Sequence, residues 1–188
     1  HLTIAIAMVD QFVSSESDYF AQKDAICADL ESYVAGRSGK LAPATIDVNT
    51  LDDPQRGQAG MYLTVLGTSA ESGDGGEVGR GNAVNGLISL NRPTSNEAAA
   101  GKNTTCHVGN IYNHLSYCIA DQIVTQIEPV QESYVWLCSQ IGRPIDDPWS
   151  ASVRVALADG VGVDDIRDQV DSILYGELKA CQVVTDPH

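Results

Sequence analysis

The sequence is short of basic residues: its 188 residues include 11 lysines and arginines against 25 aspartates and glutamates. The formal net charge of -14 argues against a nucleic-acid-binding face, because phosphate neutralisation requires clustered Lys and Arg. The same charge argues against docking on an anionic membrane surface. Any anion that the protein binds must therefore be held by a few local cations, whose positions become informative.

Cysteine pairs at recognisable spacings are also missing. The chain has five cysteines, an odd number, and no two of them show the C-x-x-C spacing of a zinc or redox motif. This pattern favours reduced thiols in a cytoplasmic protein over a disulfide framework. No apolar run is long enough for a membrane-spanning helix, so no membrane partner is expected.

Hydrophobic residues make up 43% of the chain, enough for a packed core, and their periodicity predicts alternating strands and helices. The predicted elements are helices at 16–34, 107–127 and from Asp164 onward, strands at 2–9, 44–48, 61–66, 84–90, 133–139 and 152–157, and a helical turn at 95–100. This order predicts an α+β fold in which a strand–helix–strand–strand unit is repeated, with helices on one face of mixed or antiparallel sheets. We expect a first unit over residues 1–90 and a second over 91–188.

A glycine-rich loop, Gly67 to Asn82, directly follows a predicted strand. Repeated glycine allows positive φ and lets backbone N–H groups converge on an anion. The spacing matches neither the Walker A motif nor the G-x-G-x-x-G motif, so glycine content alone favours a flexible hairpin loop. Asp74 and Arg80 support a binding role, because a carboxylate there suits a metal or an amine and a guanidinium suits phosphate.

A second candidate site precedes the longest predicted helix. Lys102 follows Gly101 shortly before that helix begins, and helix N-termini attract anions. The lysine would act there as a point charge on phosphate; the alternative is an ordinary solvated lysine. His107 lies at the predicted helix start, where the macrodipole disfavours its protonation. A neutral imidazole could donate a hydrogen bond to phosphate, and a packed structural histidine is the alternative.

Four stretches form a recognisable set: Ile4 to Asp10; Gly67 to Glu71 continuing through Gly79 to Ile88; Glu97 to Asn103; and His107 to Gly109 together with Ser139 to Ile145. As a set they resemble the second half of the archaeal-type methionine adenosyltransferases, or S-adenosylmethionine synthetases. Each stretch alone would be a weak signal. The resemblance covers nearly the whole chain except its last dozen residues.

The resemblance implies an enzyme that joins methionine to ATP. The methionine sulfur attacks the ribose C5′ and tripolyphosphate leaves, to be hydrolysed to pyrophosphate and phosphate. Magnesium ions and a monovalent cation, usually potassium, assist. The family's active sites lie between paired subunits, which implies a homodimer.

The resemblance also assigns roles to residues of this chain. Arg80 and Lys102 would hold the tripolyphosphate, and His107 is a weaker candidate for a phosphate contact. Asp74 would lie near the methionine amine or a metal. The remaining substrate-binding candidates in the glycine-rich loop are Ser69 and Glu71.

The loop that carries Lys102 departs from the family pattern. The family usually reads Lys-Asn-Pro-Val-Ser-His-Val-Gly-Lys over this segment, whereas this chain has Thr104 in place of the proline and Asn110 in place of the second lysine. We expect each change to weaken phosphate binding.

The family's N-terminal half, with its His-Pro-Asp motif, has no counterpart in this sequence. The apolar strand that begins next to His1 also suggests that residues upstream are missing. Two readings stay open: part of a working synthetase, completed by an N-terminal half, or a catalytically incompetent relative. The second would act as a regulatory or interaction subunit, or as a polyphosphate-binding module. The loop departures favour an interaction subunit, while Asp74, Arg80 and Lys102 together favour a synthetase or a binding module.

Overall fold

The computed structural model describes residues 1–37, 39, 44–67 and 83–185, without the side chains of residues 182–185. The chain divides into two compact units, His1–Gly73 and Asp74–His188. Both units combine helix and strand, so the predicted α+β class is confirmed. No helix in the described ranges is long and apolar enough to cross a membrane.

The first unit contains one long helix and four short strands over its described residues. These elements are β1 Leu2–Ile4, β2 Met8–Val9, α1 Glu16–Ala35, β3 Ile46–Val48 and β4 Leu63–Thr64. Strand β1 pairs with β3 and β2 pairs with β4, both in parallel. A 3-10 segment, Pro54–Gly60, lies between β3 and β4.

The predicted strand over residues 2–9 is divided into β1 and β2, because Asn49 takes the backbone hydrogen bonds of Ile6. Asn49 Oδ1 accepts from Ile6 N at 2.7 Å, and its Nδ2 donates to Ile6 O at 2.9 Å. A backbone whose polar groups bond to a side chain has none left for a strand ladder. Asn49 adopts a φ of 43°, a region that asparagine tolerates better than most residues.

Helix α1 begins where the sequence places hydroxyl and acidic residues, as predicted. Ser15 Oγ accepts from Asp18 N at 3.1 Å, and Asp18 Oδ2 accepts from Ser14 N at 2.8 Å. These bonds satisfy donors that a helix N-terminus otherwise leaves open. The bond from the Ser14 backbone is the largest cause that lowers the pKa of Asp18 below its usual value.

The second unit is built from two helices and a β-hairpin. Its elements are α2 Val108–Gln126, β5 Val130–Cys138, β6 Ser150–Leu157 and α3 Arg167–Thr185. Strands β5 and β6 are antiparallel. The predicted helix at 107–127 and the predicted strands at 133–139 and 152–157 are confirmed, with ends that differ by a few residues.

One hydrophobic core joins α2, α3 and the inner face of the hairpin. Ile119 and Ile123 of α2 are fully buried and Leu178 of α3 is 1% exposed. Alternate residues of β6, Val153 and Val155, pack against this core, as their period of two predicts. Each buried aliphatic side chain contributes roughly 1.5–3 kcal/mol. The core therefore fixes α2, whose N-terminus carries the second candidate site.

The predicted strand at 84–90 is wrong, since residues 83–90 contain no strand. Asn85 Oδ1 accepts from Leu87 N at 3.1 Å, a local side-chain bond that favours a turn, and Leu90 is 97% exposed. The helical turn expected at 95–100 is also absent, and those residues form bends and a turn. The apolar residues between positions 84 and 90 predicted a strand, but no described segment pairs with them in a sheet.

Candidate functional site

Two of the six residues predicted for the site lie in the described part of the chain. Lys102 and His107 both lie at the N-terminal end of α2. The other four residues lie outside the described ranges, and their roles stay predictions: Ser69, Glu71, Asp74 and Arg80. Where positions are described, no three His, Cys, Asp or Glu side chains are grouped as ligands for one metal ion.

Thr64 anchors the chain where it enters the glycine-rich loop. Its Oγ1 donates to Met8 O at 3.1 Å and accepts from Gly67 N at 2.9 Å. One hydroxyl thus joins β2, β4 and the first glycine after the strand. Gly67 has a φ of 80°, a conformation that favours glycine. The direction in which the chain leaves β4 is therefore fixed.

Lys102 folds back over its own loop. Its Nζ donates to Ala98 O at 2.7 Å and lies 3.3 Å from Glu97 Oε2. These described partners account for two of the three N–H donors of an ammonium group. The lysine side chain is 20% exposed, so its charge is held close to the protein surface. An anion bound there would meet both this charge and the positive end of α2.

Gly109, in the first turn of α2, leaves room for the lysine stem. A Cβ at this position would lie 2.9 Å from Lys102 Cδ and 3.0 Å from Lys102 Cε. The same Cβ would lie 3.1 Å from His107 Cε1. The absence of a side chain at Gly109 is therefore what allows Lys102 and His107 to occupy their observed positions.

His107 is the N-cap residue of α2, which confirms its predicted place at the helix start. Its Nδ1 accepts from Gly109 N at 3.0 Å. A neutral imidazole that accepts at Nδ1 carries its proton on Nε2. His107 is exposed, so its Nε2–H is able to donate to a ligand, as the sequence suggested.

The segment after Lys102 is a turn closed by the side chain of Asn103. Asn103 Oδ1 accepts from Thr105 N and Thr105 Oγ1, both at 2.8 Å, and from Cys106 N at 3.1 Å. These bonds supply a constraint at the point where the family pattern has a proline. Whether the missing proline weakens phosphate binding stays a prediction.

Asn110 is more than a position where a lysine is missing. Its side chain is buried, with 6% of the residue exposed, and Nδ2 donates to Ala99 O at 3.0 Å and to Lys102 O at 3.1 Å. Sequence reasoning noted only the lost charge. A polar residue on the inward face of an amphipathic helix was the signal that it bonds to buried backbone.

A cleft of about 410 Å³ opens beside this loop. Glu97 and His107 contribute to its lining, together with apolar Val108 and with Trp136 of β5. Trp136 is 45% exposed and stacks on Tyr134, with ring centroids 6.1 Å apart. A cleft with apolar walls and a few polar groups is typical of small-molecule sites.

Sequence reasoning missed a buried polar cluster in the first unit. Tyr19 is fully buried; its hydroxyl donates to Asp52 Oδ2 at 2.8 Å and accepts from Asn49 Nδ2 at 3.1 Å. Lys23 Nζ lies 2.9 Å from the same Asp52 oxygen. Burial and the bond to Asp52 raise the pKa of Tyr19. The available signal was Tyr19 and Lys23 at helical spacing on one face of α1.

Known proteins of one family resemble this chain over most of its length. A profile of the family described as S-adenosylmethionine synthetase (AdoMet synthetase) matches residues 1–187. An S-adenosylmethionine synthase of Thermococcus gammatolerans is 52% identical over 88% of this chain and 40% of its own length. The synthase of Methanobrevibacter smithii is 43% identical over 98% of this chain and 46% of its own length. A probable synthase of Aquifex aeolicus is 47% identical over 95% of this chain and 43% of its own length.

The profile match extends to residue 187, which corrects the expectation that the last dozen residues depart from the family. The chain spans less than half the length of these curated relatives. On the extent of the profile match and the identity of these relatives, the chain belongs to the S-adenosylmethionine synthetase family.

Proposed function

We propose that this chain supplies the tripolyphosphate-binding part of an S-adenosylmethionine synthase, which forms S-adenosylmethionine from methionine and ATP. The observation that carries the proposal is the position of Lys102, whose side-chain stem passes Gly109 in the first turn of α2. Family membership supplies the identity of the polyanion, because the relatives are named as S-adenosylmethionine synthases.

The chemistry requires positive charge more than it requires a base. A bond forms between the methionine sulfur and the ribose C5′, and the C5′–O bond breaks with its electron pair passing to the tripolyphosphate. A thioether sulfur carries no proton, so no general base is needed for the attack. Cations that bind the leaving group more strongly as its charge grows lower the barrier. Lys102 serves this purpose in the proposal.

The other site residues enter the proposal by their positions in the family pattern. Arg80 is the second cation on the tripolyphosphate, and His107 donates to it from Nε2. Asp74 binds the methionine amine or a metal, with Ser69 and Glu71 as further substrate contacts. Magnesium ions would neutralise charge on the tripolyphosphate and a monovalent cation, usually potassium, would assist; Asp74 is the residue of this chain that would face a metal.

The proposal extends to organisation. The chain works as a homodimer or in an assembly with an N-terminal half, and an odd number of cysteines without C-x-x-C spacing fits a cytoplasmic location. We infer that residues 1–90 and 91–188 are related to the central and C-terminal domains of the family; between residues 91 and 185 the order is helix–strand–strand–helix, so the predicted strand–helix–strand–strand repeat is not proposed for the second of them.

A second candidate is a polyphosphate-binding module or interaction subunit without transferase activity. The observation that favours it is Asn110, which is buried where the family pattern has a second lysine. The substitution reduces the net positive charge available to a leaving group.

Isothermal titration with tripolyphosphate and magnesium tests the shared premise. We expect binding that Lys102→Ala and Arg80→Ala each weaken by roughly 1–3 kcal/mol, the usual size of a lost charged contact. Arg167→Ala is the matched control, because Arg167 pairs with Asp164 near the start of α3 and is 61% exposed. Wild-type protein that does not bind tripolyphosphate would leave only the interaction subunit. Incubation with methionine and ATP, with and without an added N-terminal half, then separates the synthase from the binding module.

A further inference from the structure

We propose that Asn110 is a positioning residue, whose side-chain amide fixes the loop that presents Lys102 to its anion. This inference rests on the proposed function, in which Lys102 binds the tripolyphosphate. Comparison with the family pattern shows only that a positive charge is missing at position 110. The proposal gives Asn110 a structural role in the site.

The amide of Asn110 bridges the loop to the helix at two places. Nδ2 carries two hydrogens, and it donates to Ala99 O at 3.0 Å and to Lys102 O at 3.1 Å. Asn110 itself lies in the first turn of α2 and is 6% exposed. Both bonds are part-buried, so breaking them costs free energy because the carbonyls would lose a partner with restricted access to water.

The two carbonyls bracket the turn that carries the lysine. Gly101, between them, has a φ of 74°, so the chain reverses direction there in a conformation that favours glycine. The residue before Ala99 also takes part: Ala98 O accepts from Lys102 Nζ at 2.7 Å. The backbone on both sides of Gly101 is therefore held by Asn110, while the ammonium is held by the same turn.

This arrangement matters for a site that depends on few cations. A lysine has a flexible four-carbon stem, and the free energy of ordering such a chain opposes each charged contact that it makes. A loop that is already fixed leaves less disorder to be lost when the anion binds. A second lysine at position 110 would add charge; Asn110 instead fixes the position of the charge that is present.

Hydrogen exchange and binding of inorganic tripolyphosphate test this role in the full chain. We expect Asn110→Ala to speed amide exchange over residues 99–104 and to weaken tripolyphosphate binding about 5- to 50-fold. Asn110→Asp keeps the size but replaces the donor by an acceptor, so a larger loss is expected. Asn110→Ser keeps one donor, is the variant to use if the alanine protein does not fold, and should give an intermediate loss.

A double-mutant cycle distinguishes positioning from general destabilisation. If Asn110 acts through Lys102, then Asn110→Ala should cause little further loss of binding in a Lys102→Ala background. Thr125→Ala, which removes a hydroxyl that donates to Asp121 O on the same helix, is the matched control and should leave binding unchanged.

The outcomes separate this inference from the proposed function. The inference is overturned if Lys102→Ala weakens binding while Asn110→Ala and Asn110→Asp bind as strongly as the wild type. The proposed function would still stand. Losses that simply add in the double variant also overturn it. Failure of the wild-type protein to bind tripolyphosphate overturns the proposed function first, and this inference with it.

Discussion

Glu97 Oε2 lies 3.3 Å from Lys102 Nζ, so the proposed phosphate ligand already has a carboxylate as its partner. The carboxylate is 69% exposed and the lysine 20% exposed, which places the pair at the surface rather than in the core. An incoming polyanion must compete with Glu97 for the ammonium and approach a second negative charge. We therefore expect the pair to reduce how strongly the proposed site holds an anion.

Replacing this carboxylate should strengthen binding. We expect Glu97→Gln to lower the dissociation constant for tripolyphosphate about 2- to 10-fold in magnesium-free buffer, with a larger effect at low ionic strength. The control is Asp164→Asn, since Asp164 pairs with Arg167 away from the α2 terminus. Titration calorimetry at two salt concentrations measures both. Weaker binding by Glu97→Gln without magnesium would contradict the competition.

A methyl group at Gly109 should displace the Lys102 side chain. In Gly109→Ala the new Cβ would meet Lys102 Cδ at 2.9 Å, so the lysine stem must move and tripolyphosphate binding should fall at least about 10-fold. Gly176→Ala is the matched control within α3, because a Cβ there meets no atom within 4 Å. The control should bind normally and gain about 0.5–1 kcal/mol of helix stability. If Gly109→Ala and Gly176→Ala bind tripolyphosphate equally well, Lys102 does not need the space beside Gly109.

The buried hydroxyl of Tyr19 should stabilise the first unit. Tyr19→Phe leaves Asp52 and Asn49 each with one partner fewer, and we expect the free energy of unfolding to fall by about 1–3 kcal/mol. Tyr33→Phe on the same helix is the control, because Tyr33 is 57% exposed. Urea denaturation followed by circular dichroism measures both. If Tyr19→Phe and Tyr33→Phe unfold at the same urea concentration, the cluster has no stabilising role.

Tyr112 should make the second unit sensitive to alkali. Burial raises the pKa of Tyr112 to about 12, and its hydroxyl donates to Ile145 O at 2.7 Å. An unfolded tyrosine titrates at about pH 10, so the unfolded chain loses this proton first. The stabilisation is thus complete below about pH 10 and is lost as the pH rises towards 12.

The measurement is the melting temperature of wild type and Tyr112→Phe between about pH 9 and pH 12. The phenylalanine variant should lose less stability over that range, although it starts lower because a hydrogen bond is missing. Tyr117→Phe, on the same helix but 36% exposed, should follow the wild type. Parallel curves for Tyr112→Phe and wild type would contradict the assignment.

Local chemistry was enough to predict several elements of this fold. The hydroxyl and acidic residues before α1 form the expected cap, and alternate residues of β6 pack inward as their period requires. Lys102 and His107 lie at the N-terminus of α2, where the periodicity placed them. These features depend on residues that are neighbours in sequence, so a pattern along the chain contains them.

The features that were missed depend on partners far apart in sequence. The division of the first strand requires Asn49, which lies 43 residues beyond Ile6. The role of Asn110 depends on which carbonyls lie under its amide, a fact that sequence spacing does not contain. Residues 84–90 have strand-like composition, yet their local turn bond and exposure outweigh it.

The turn that begins at Asn103 has a kinetic consequence. It is closed by three hydrogen bonds to one side-chain oxygen rather than by a pyrrolidine ring. Such bonds break and re-form on nanosecond to microsecond timescales, and the segment has no prolyl bond whose isomerisation would take tens of seconds. The stretch between Lys102 and α2 can therefore rearrange on a timescale far shorter than that of prolyl isomerisation.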